Sequence, residues 1–484
     1  MKVKDIIKII DGEILCGNDE TECNNLVRDS REVKEGDVFV ALKGENFDGN
    51  NFCKEAIQNG AKVCIVSRDV TEEIKESENS QNRDNGEIKK SENSQNKDDE
   101  KTSSAVTIVK VKDTLEALQE IATYKRMQYN IPVVAVTGSV GKTSTKDLIA
   151  GVISQKYNTL KTKGNFNNEI GLPLTILGLK DEEAMVVEMG MNHFGEISKL
   201  TNIAKPTVAV ITNIGTAHIG NLGSRENILK AKLEILEGLQ GNTVVINNDN
   251  DLLNKWAKEN YDKYNIITYG IVNDSDYMAK NIEAFEDKSE YEIYISNKNK
   301  NGLDGKTIVV PVGGEHFILN SLCAIAVGEY LEVPLEKIIQ GVANFELTKK
   351  RMEVLKSKCG ATIINDTYNA NYDSMKAAIT YLKEIKGRRK IAVLGDMLEL
   401  GDFSKELHEK IGNEIDENID VLITVGNEAK YIAKNAKAKE IFEYDSNKDA
   451  INRIKNIINQ NDAILLKASN GMRFFDIASS IQEF

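Results

Sequence analysis

The segment TGSVGKTST, residues 137–145, has the residue types of a phosphate-binding turn. Gly138 and Gly141 allow a tight turn whose amide groups face an anion, and the helix predicted from Lys142 onward points its positive end at the same place. Lys142 can neutralise the outer phosphates of a nucleotide, and Thr143 can ligate Mg²⁺. This spacing predicts nucleotide binding, but phosphate binding alone does not identify a reaction.

The surroundings of this turn support the prediction, although one position departs from the usual pattern. A strand pattern, VVAVTG, precedes the turn and a helical pattern follows it, as a phosphate-binding loop requires. Val136 stands where the pattern G-x-x-x-x-G-K-[ST] has its first glycine. A turn formed by chance is the alternative, and the flanking elements argue against it.

Three further residues can take part in chemistry. Glu188 ends the strand pattern MVVEMG, and His218 follows VAVITNIGTAH, so both lie at the carboxyl edge of the predicted sheet, where such sheets bind ligands. Taken singly, each is more often structural, but beside a phosphate turn they favour contact with a metal ion. Lys232, in LKAKLEILEGL, is by its residue pattern alone a solvated helix lysine.

The elements that must position these residues alternate between strand and helix. Strand patterns at VVAVTG, AMVVEMG, PTVAVITNIG and TVVINND, with helical stretches between them, indicate a largely parallel sheet covered on both faces. Residues 36–67 predict a smaller α/β unit, and residues 276–310 predict an antiparallel hairpin appended to the central sheet. A further α/β series follows, with strands at ATIIND, RKIAVLGD, DVLITVG and DAILLKAS.

The chain of 484 residues is long enough for several domains, and we divide it at 1–112, 113–347 and 348–484. The first of these contains a polar insertion, residues 71–104, in which the hexapeptide SENSQN occurs twice. This segment has almost no large apolar side chains, so burial cannot offset the entropy of ordering it. We predict that it is disordered or loosely ordered.

Composition excludes several classes of protein. The net charge is −13 and the basic residues are scattered, which argues against a nucleic-acid partner. No stretch approaches the roughly 20 apolar residues that span a bilayer, and Lys8 and Asp11 interrupt the N-terminal apolar segment, which predicts an amphipathic helix and not a secretion signal. The six cysteines have no C-x-x-C pair, so we expect reduced thiols in a cytoplasmic enzyme without membrane insertion.

A set of spaced motifs resembles the Mur ligases. In chain order they are VTGSVGKTST, TKGNFNNEIGLPLT, VVEMGMNHFGEI, TNIGTAHIG, KAKLEI, NDTYNANYDSM and VLGDMLELG. The resemblance runs from about residue 26 to the C-terminus, outside the polar insertion. It implies an α/β protein of three domains: a small N-terminal domain that binds a UDP-sugar-peptide, a central P-loop ATPase-like domain with a parallel sheet, and a C-terminal Rossmann-like domain.

The resemblance is strongest to the family members that add D-alanyl-D-alanine to UDP-N-acetylmuramoyl-tripeptide (UDP-MurNAc-tripeptide) in peptidoglycan synthesis. It implies an ATP-dependent acid–D-amino-acid ligase in which the tripeptide carboxylate takes the γ-phosphoryl group. The amine of D-Ala-D-Ala then attacks the acyl phosphate, and ADP and phosphate are released. Positioning and charge neutralisation are the main requirements of such a phosphoryl transfer.

Carried over residue by residue, the resemblance implies a site for ATP and Mg²⁺. Thr143 and Glu188 match ligands of one Mg²⁺, His218 matches a ligand of a second, and Lys232 matches the family's carbamylated lysine, which reverses its interpretation as a solvated residue. Lys142, Glu188, His218 and Lys232 are therefore the expected catalytic residues. The expected ATP contacts are Gly138, Ser139, Val140, Gly141, Lys142, Thr143, Ser144, Asn320, Arg351 and Asp366.

The resemblance also implies residues that contact the two other substrates. The segment DSREVKEGDVFVALKGENFDGNNF resembles the part of the family that binds the UDP-sugar-peptide, and GNFNN, MNHFGEI, DTYNAN and KASN supply further candidates. The expected substrate contacts are Ser30, Arg31, Lys43, Gly44, Asp48, Asn165, Asn167, Asn168, His193, Tyr368, Asn369 and Lys467.

Two positions depart from the family patterns. Phe317 occupies the second position of HFILN, where the family has H-N-x-x-N, and Asn470 replaces the arginine of K-G-S-R, for which Arg473 is a candidate substitute. A related ligase such as folylpolyglutamate synthase would share the nucleotide site but should lack the UDP-binding first domain. A non-catalytic relative should lose Lys142, Glu188 or Lys232, and all three are present. We expect a monomer.

Overall fold

The structure, a computed structural model, describes residues 2–44, 46–75, 106–285, 287–296 and 302–484. The predicted polar insertion lies outside these residues, except for its first five positions, which are helical. Among the helices of the described ranges, none combines the length and the apolar character that a bilayer crossing needs. All six cysteines are free thiols, and four of them are buried.

The elements are numbered in chain order. The strands are β1 (Glu13–Cys16), β2 (Leu26–Val27), β3 (Val38–Val40), β4 (Val63–Val66), β5 (Thr107–Lys110), β6 (Val133–Thr137), β7 (Thr159–Lys161), β8 (Ala184–Glu188), β9 (Val208–Ile211), β10 (Thr243–Asn247), β11 (Asn265–Gly270), β12 (Tyr277–Ala284), β13 (Ser289–Ile295), β14 (Thr307–Val310), β15 (Glu353–Lys356), β16 (Thr362–Asp366), β17 (Arg389–Gly395), β18 (Val421–Val425), β19 (Glu440–Tyr444) and β20 (Asp462–Lys467). The helices are α1 (Val3–Ile10), α2 (Cys53–Gln58), α3 (Thr114–Met127), α4 (Lys142–Ile153), α5 (Gly171–Leu177), α6 (Glu196–Ala204), α7 (Ile219–Leu222), α8 (Arg225–Leu233), α9 (Asp251–Lys258), α10 (Glu315–Tyr330), α11 (Leu335–Ala343), α12 (Tyr372–Glu384), α13 (Ser404–Asn413), α14 (Ala429–Asn435), α15 (Asn447–Ile457) and α16 (Phe474–Gln482).

The chain forms two compact units. The N-terminal unit comprises residues 1–130 and 163–180, and the large unit comprises residues 131–162 and 181–484. The described residues form three sheets, and one of them lies in each predicted domain. The exact domain boundaries at 112 and 347 stay a prediction.

The N-terminal unit contains a five-stranded sheet in the order β1-β5-β4-β3-β2. Strands β2 to β5 are parallel, and β1 pairs antiparallel with β5. The predicted N-terminal amphipathic helix is confirmed as α1, which buries Val3, Ile6 and Ile10 in the same core as Val38 and Leu118. Burial of this apolar helix face is what attaches α1 to the sheet.

The large unit contains the central sheet, in the order β14-β13-β12-β11-β10-β9-β6-β8-β7. All neighbours from β7 to β12 are parallel, and β6 and β8 are buried along their full length. Continuous Val-rich strands of this kind are typical of a sheet covered on both faces. The predicted appended hairpin is an antiparallel extension of three strands, β12 to β14.

The large unit also contains a six-stranded sheet in the order β15-β16-β20-β17-β18-β19. Strands β16 to β20 are parallel, and β15 pairs antiparallel with β16. The sequence predicted the four central strands but not the two at the edges. The edge strands β15 and β19 contain alternating or mostly exposed residues, so they lack the apolar run that marks a buried strand.

Candidate active site in the large unit

The turn between β6 and α4 has the conformation that the sequence predicted. Gly138 and Gly141 have φ angles of 147° and 83°, which residues with a side chain rarely adopt. A Cβ atom on Gly138 would lie only 2.0 Å from Thr212 Oγ1, so no side chain fits there. Helix α4 begins at Lys142, directly after the turn. The first amide groups of the helix have no intrahelical acceptor, and together with the helix dipole they suit an anion.

Lys142 lies over the turn itself. Its Nζ donates to the carbonyl oxygen of Gly138 at 2.7 Å and approaches that of Ser139 at 3.4 Å. Burial lowers the pKa of Lys142, the Glu188 carboxylate opposes that change, and the charge of Arg351 adds to it. The ammonium group thus lies over the turn, and among the described residues its hydrogen-bond acceptors are carbonyl oxygens.

Thr143 and Glu188 form a buried pair beside the turn. Thr143 Oγ1 donates to Glu188 Oε2 at 2.8 Å, and both residues are almost completely buried. The backbone of Glu188 is fixed as well, because its N–H donates to Thr162 Oγ1 at 3.0 Å. A hydroxyl and a carboxylate are the oxygen ligands that Mg²⁺ prefers, so this pair fits the predicted metal site.

Lys232, on α8, is not solvated. The residue is fully buried, and its Nζ has no hydrogen-bond partner among the residues that the structure describes. Burial, aided by the charge of Lys142, holds the pKa of Lys232 well below its usual value. A buried ammonium without a hydrogen-bond partner is costly, so this environment favours the neutral amine, which is the form that can react with CO2. The environment therefore fits carbamylation.

His218 precedes α7 and lies close to the C-terminal sheet. Its backbone is left-handed, with φ 64°, and its Nδ1 lies 3.2 Å from Glu399 Oε2. Burial lowers the pKa of His218, Glu399 counteracts this, and the charges of Lys142 and Lys232 lower it further. The imidazole thus stands in the electrostatic field of both lysines.

Asn320, on α10, contacts the helix that follows the phosphate turn. Its Oδ1 accepts from Thr145 Oγ1 at 3.0 Å, while its buried Nδ2 has no partner within the described part of the chain. The amide of Asn320 therefore has donors available for a ligand. Phe317, where the family has asparagine, is buried instead, and its ring centroid lies 6.1 Å from that of Phe345. Phe317 is a core residue.

The structure brings the C-terminal candidates into two groups. The Arg351 guanidinium lies 4.0 Å from the centroid of the Tyr368 ring, and Arg351 Nε is buried without a hydrogen-bond partner among the described residues. Lys467 Nζ forms an ion pair with Asp366 and donates to the carbonyl oxygen of Asn369 at 3.1 Å. Lys467 is buried, so its charge depends on Asp366 for compensation.

Three predicted positions are not part of these groups. His193 is exposed in the segment between β8 and α6, and Asn470 is exposed after β20. Arg473 is exposed as well, and its Nε donates to Asp476, in the first turn of α16, at 3.0 Å. The suggestion that Arg473 replaces the family's arginine stays a prediction.

In the N-terminal unit, the substrate candidates are already paired. Ser30 Oγ donates to Glu55 Oε2 at 2.7 Å. Arg31 forms a bidentate pair with Asp29, at 2.8 and 2.6 Å, and remains exposed. That pair holds the pKa of Asp29 at about 2, with the Arg31 side-chain hydrogen bonds as the main cause. Arg31 is thus presented to solvent as a fixed cation.

The remaining candidates of this unit shape two turns. Lys43 pairs with Asp48 in an isolated β-bridge, around Gly44, and Asp48 Oδ1 accepts from the backbone N–H of Asn50 at 2.9 Å.

In the second turn, Asn168 Oδ1 accepts from the N–H of Gly171 at 2.9 Å, at the start of α5, and the Asn167 N–H donates to the Asn165 carbonyl at 2.8 Å. The neighbouring Phe166 ring lies 5.7 Å from the Arg28 guanidinium. Arg28 was not among the residues predicted from the sequence, although it lies in the same VRDSR segment as Arg31.

Family models match the chain in three segments. A model described as "Mur ligase family, catalytic domain" matches residues 22–126, "Mur ligase middle domain" matches residues 136–328, and "Mur ligase, glutamate ligase domain" matches residues 350–470. A curated relative from Bacillus subtilis (strain 168) is 35% identical over 99% of this chain and 98% of its own length. It is named UDP-N-acetylmuramoyl-tripeptide--D-alanyl-D-alanine ligase.

Solved structures extend the comparison to the fold. A crystal structure of MurF from Acinetobacter baumannii superposes with a TM-score of 0.85 at 28% identity, and the match covers 99% of this chain and 98% of that one. A MurF ligase from Thermotoga maritima in complex with ADP superposes with a TM-score of 0.78 at 30% identity, with coverage of 96% and 97%. The predicted three-domain α/β architecture is confirmed by these matches.

Proposed function

The chain belongs to the Mur ligase family, and from that premise we propose that it is the ATP-dependent ligase that joins D-alanyl-D-alanine to UDP-MurNAc-tripeptide. The observation that carries the proposal is the match to a relative of that name across 99% of the chain, which includes the N-terminal unit. The phosphate turn and the buried Thr143–Glu188 pair agree with it, and so does the T. maritima relative in complex with ADP.

The reaction has two steps. A carboxylate oxygen of the tripeptide attacks the γ-phosphorus of ATP, and the bond from that phosphorus to the β,γ-bridging oxygen breaks, which releases ADP. The amine of D-Ala-D-Ala then attacks the acyl carbon of the resulting acyl phosphate. Phosphate leaves with one of the original carboxylate oxygens, and the amine nitrogen loses a proton. Neither step needs a nucleophile from the enzyme, so positioning and charge neutralisation are its main contributions.

The residues of the large unit divide this work. The amide groups at the start of α4 hold the phosphates, and Lys142 neutralises the charge that moves to the β,γ-bridging oxygen as ADP leaves. Thr143, Glu188, His218 and a carbamylated Lys232 would hold Mg²⁺. When bound, Mg²⁺ supplies further neutralisation of phosphate charge. Asn320 offers its unpaired amide donor to the nucleotide base.

The other assignments belong to the same proposal. Arg351 and Asp366 contact ATP; Tyr368, Asn369, Lys467 and His193 contact the peptide substrates. Arg31 and its neighbours in the N-terminal unit contact UDP-MurNAc-tripeptide, because an exposed, fixed guanidinium suits a phosphate or carboxylate. We also propose domains at 1–112, 113–347 and 348–484, and a monomer.

The proposal is tested by phosphate release from Mg·ATP with UDP-MurNAc-tripeptide, with and without D-Ala-D-Ala, and by mass spectrometry of the product. Substrates with diaminopimelate and with lysine as the third peptide residue are compared. Dipeptide-dependent release together with a UDP-MurNAc-pentapeptide product is the expected result with one of them. ATP binding without release on either substrate would contradict the proposal and favour another acceptor or a non-catalytic relative.

A further inference from the structure

The segment of residues 212–218, here called the relay loop, is fastened to the phosphate turn. The N–H of Val140 donates to Asn213 Oδ1 at 2.8 Å, and the N–H of Gly215 donates to Ser139 Oγ at 2.9 Å. Thr212 Oγ1 donates to the carbonyl oxygen of Val140 at 2.6 Å. Any shift of the turn on nucleotide binding must therefore be accommodated by the relay loop.

The same loop is held from its other side by the C-terminal sheet region. Asp373 Oδ2 accepts two hydrogen bonds from Thr216, from the N–H at 2.7 Å and from Oγ1 at 2.9 Å. A Cβ atom on Gly215 would lie 2.3 Å from that same oxygen, so a side chain at this position would displace the Asp373 carboxylate. The loop thus contacts the phosphate turn and Asp373 through adjacent residues.

Asp373 is not needed by its own helix. The start of α12 is capped by Asn371, whose Oδ1 accepts from the N–H of Ser374 at 2.9 Å, while Ser374 Oγ accepts from the N–H of Asn371 at 3.1 Å. This reciprocal capping leaves the Asp373 carboxylate available for Thr216. The helix dipole at the start of α12 also favours a negative charge at this position.

Asp373 directly follows the segment that contributes C-terminal contacts to the site. Asp366 ends β16, Tyr368 and Asn369 lie between β16 and α12, and the Asp373–Thr216 contact fixes the start of α12 directly after that segment. We propose that Asp373 is a positioning residue that couples occupancy of the phosphate turn, through the relay loop, to the placement of residues 366–371. The inference rests on the proposed ATP-dependent ligation, in which contacts from both sheets of the large unit must be in place together.

The test compares Asp373→Ala, Asp373→Asn and Thr216→Val with the unchanged protein. Asp449→Ala is the matched control, because Asp449 is a first-turn aspartate of α15 whose bonds stay within its own helix start. Two readouts are used on the full chain: kcat and KM for ATP in the ligase assay, and hydrogen exchange of amides 138–144 and 367–376 with and without Mg·ADP.

In the unchanged protein, Mg·ADP should slow exchange in both segments. In Asp373→Ala, Mg·ADP should still protect 138–144, but protection of 367–376 should be lost, and kcat should fall at least about tenfold with KM for ATP changed less than about threefold. Asp373→Asn keeps an acceptor oxygen and should retain part of the protection of 367–376 and part of kcat. Thr216→Val keeps the backbone hydrogen bond to Asp373 and should lose less of both than Asp373→Ala does.

Equal protection of 367–376 by Mg·ADP in Asp373→Ala and in the control would overturn the inference, and so would an unchanged kcat. If Asp373→Ala does not fold, Thr216→Val decides by the same readouts. The exchange experiment needs only Mg·ADP, so its outcome is independent of which acceptor the enzyme uses. A failure of the proposed ligation would appear instead as absent turnover in the unchanged protein.

Discussion

The two compact units differ in how their candidate site residues are satisfied. In the large unit, the buried atoms Lys232 Nζ, Asn320 Nδ2 and Arg351 Nε have no hydrogen-bond partner among the described residues. In the N-terminal unit, Ser30 and Arg31 are already paired with carboxylates of the same unit. An unsatisfied buried polar group costs roughly 1–3 kcal/mol. Because Asn320 lies against Gly141, and Lys232 and Arg351 interact electrostatically with Lys142, these three groups indicate a site that bound species complete.

This difference has a functional meaning. A site completed by its ligands loses most of its activity when one charged group is removed, because charge neutralisation in the transition state cannot be shared out among the others. An exposed surface that is already formed contributes mainly to binding, so a single change there should alter affinity and leave turnover intact. Three substitutions test this contrast, in order of expected effect, and a fourth tests stability.

The largest effect is expected for Lys142→Ala. Removal of the cation over the phosphate turn should lower ATP-dependent phosphate release about 1000-fold, because the charge on the transferred group is no longer neutralised. The measurement is steady-state phosphate release at saturating substrates. Turnover within about tenfold of the unchanged protein would remove Lys142 from the site.

Lys232→Ala should have the next largest effect, a loss of about 100-fold. Since carbamylation converts the amine into a carboxylate-like anion, added acetate should restore part of the activity. Lys230→Ala, on the exposed face of the same helix, is the matched control and should behave like the unchanged protein. Unaltered kinetics in Lys232→Ala, or loss without any acetate rescue, would speak against the carbamylated lysine.

Arg31→Ala tests the N-terminal unit. Because Arg31 is exposed and is held by Asp29, its loss should raise KM for UDP-MurNAc-tripeptide about tenfold and leave KM for ATP and kcat nearly unchanged. Lys62→Ala, which removes an exposed cation of the same unit that pairs with Glu35, is the control. A fall in kcat without a change in KM for the UDP substrate would contradict the assignment.

The smallest effect concerns stability. Burial lowers the pKa of His316 to about 4, with Lys467 also lowering it and Asp366 raising it. As the pH falls, His316 binds a proton in the unfolded chain before it does so in the folded chain. Its contribution to the free energy of unfolding is therefore complete above about pH 6.5 and is lost as the pH falls toward about 4. Because His316 is half-buried, we expect its contribution to the free energy of unfolding to be only about 1 kcal/mol.

The free energy of unfolding in urea is measured for the unchanged protein and for His316→Gln, each at pH 7.5 and at pH 5. The unchanged protein should lose more stability between these two values than His316→Gln does. Equal losses would show that His316 titrates alike in the folded and unfolded chains.

The sequence predicted the parts of the fold that depend on local pattern. The strand before the phosphate turn, its glycines and the helix from Lys142 follow from short-range residue types, and the structure agrees with them. Burial of Lys232 could not be read from its helix, which carries lysines at 230 and 232; only tertiary packing distinguishes the two. The family resemblance supplied what the residue pattern could not.

Contacts between segments that are far apart along the chain could not be predicted from the sequence either. Asp373 and Thr216 are separated by 157 positions, and both lie in motifs that carried the family resemblance, yet no spacing rule pairs them. The edge strands β15 and β19 were missed because one face of each is exposed. The periodicity of the sequence does not predict contacts that only tertiary packing creates.

The most direct test of the proposed acyl phosphate uses an oxygen isotope as a label. UDP-MurNAc-tripeptide labelled with ¹⁸O in both oxygens of its terminal carboxylate is turned over with Mg·ATP and D-Ala-D-Ala, and the released phosphate is analysed by mass spectrometry. Transfer of one ¹⁸O to each phosphate is the predicted result, because the carboxylate oxygen that attacks the γ-phosphorus leaves with it. Unlabelled phosphate, with the pentapeptide product formed, would contradict an acyl phosphate at this site.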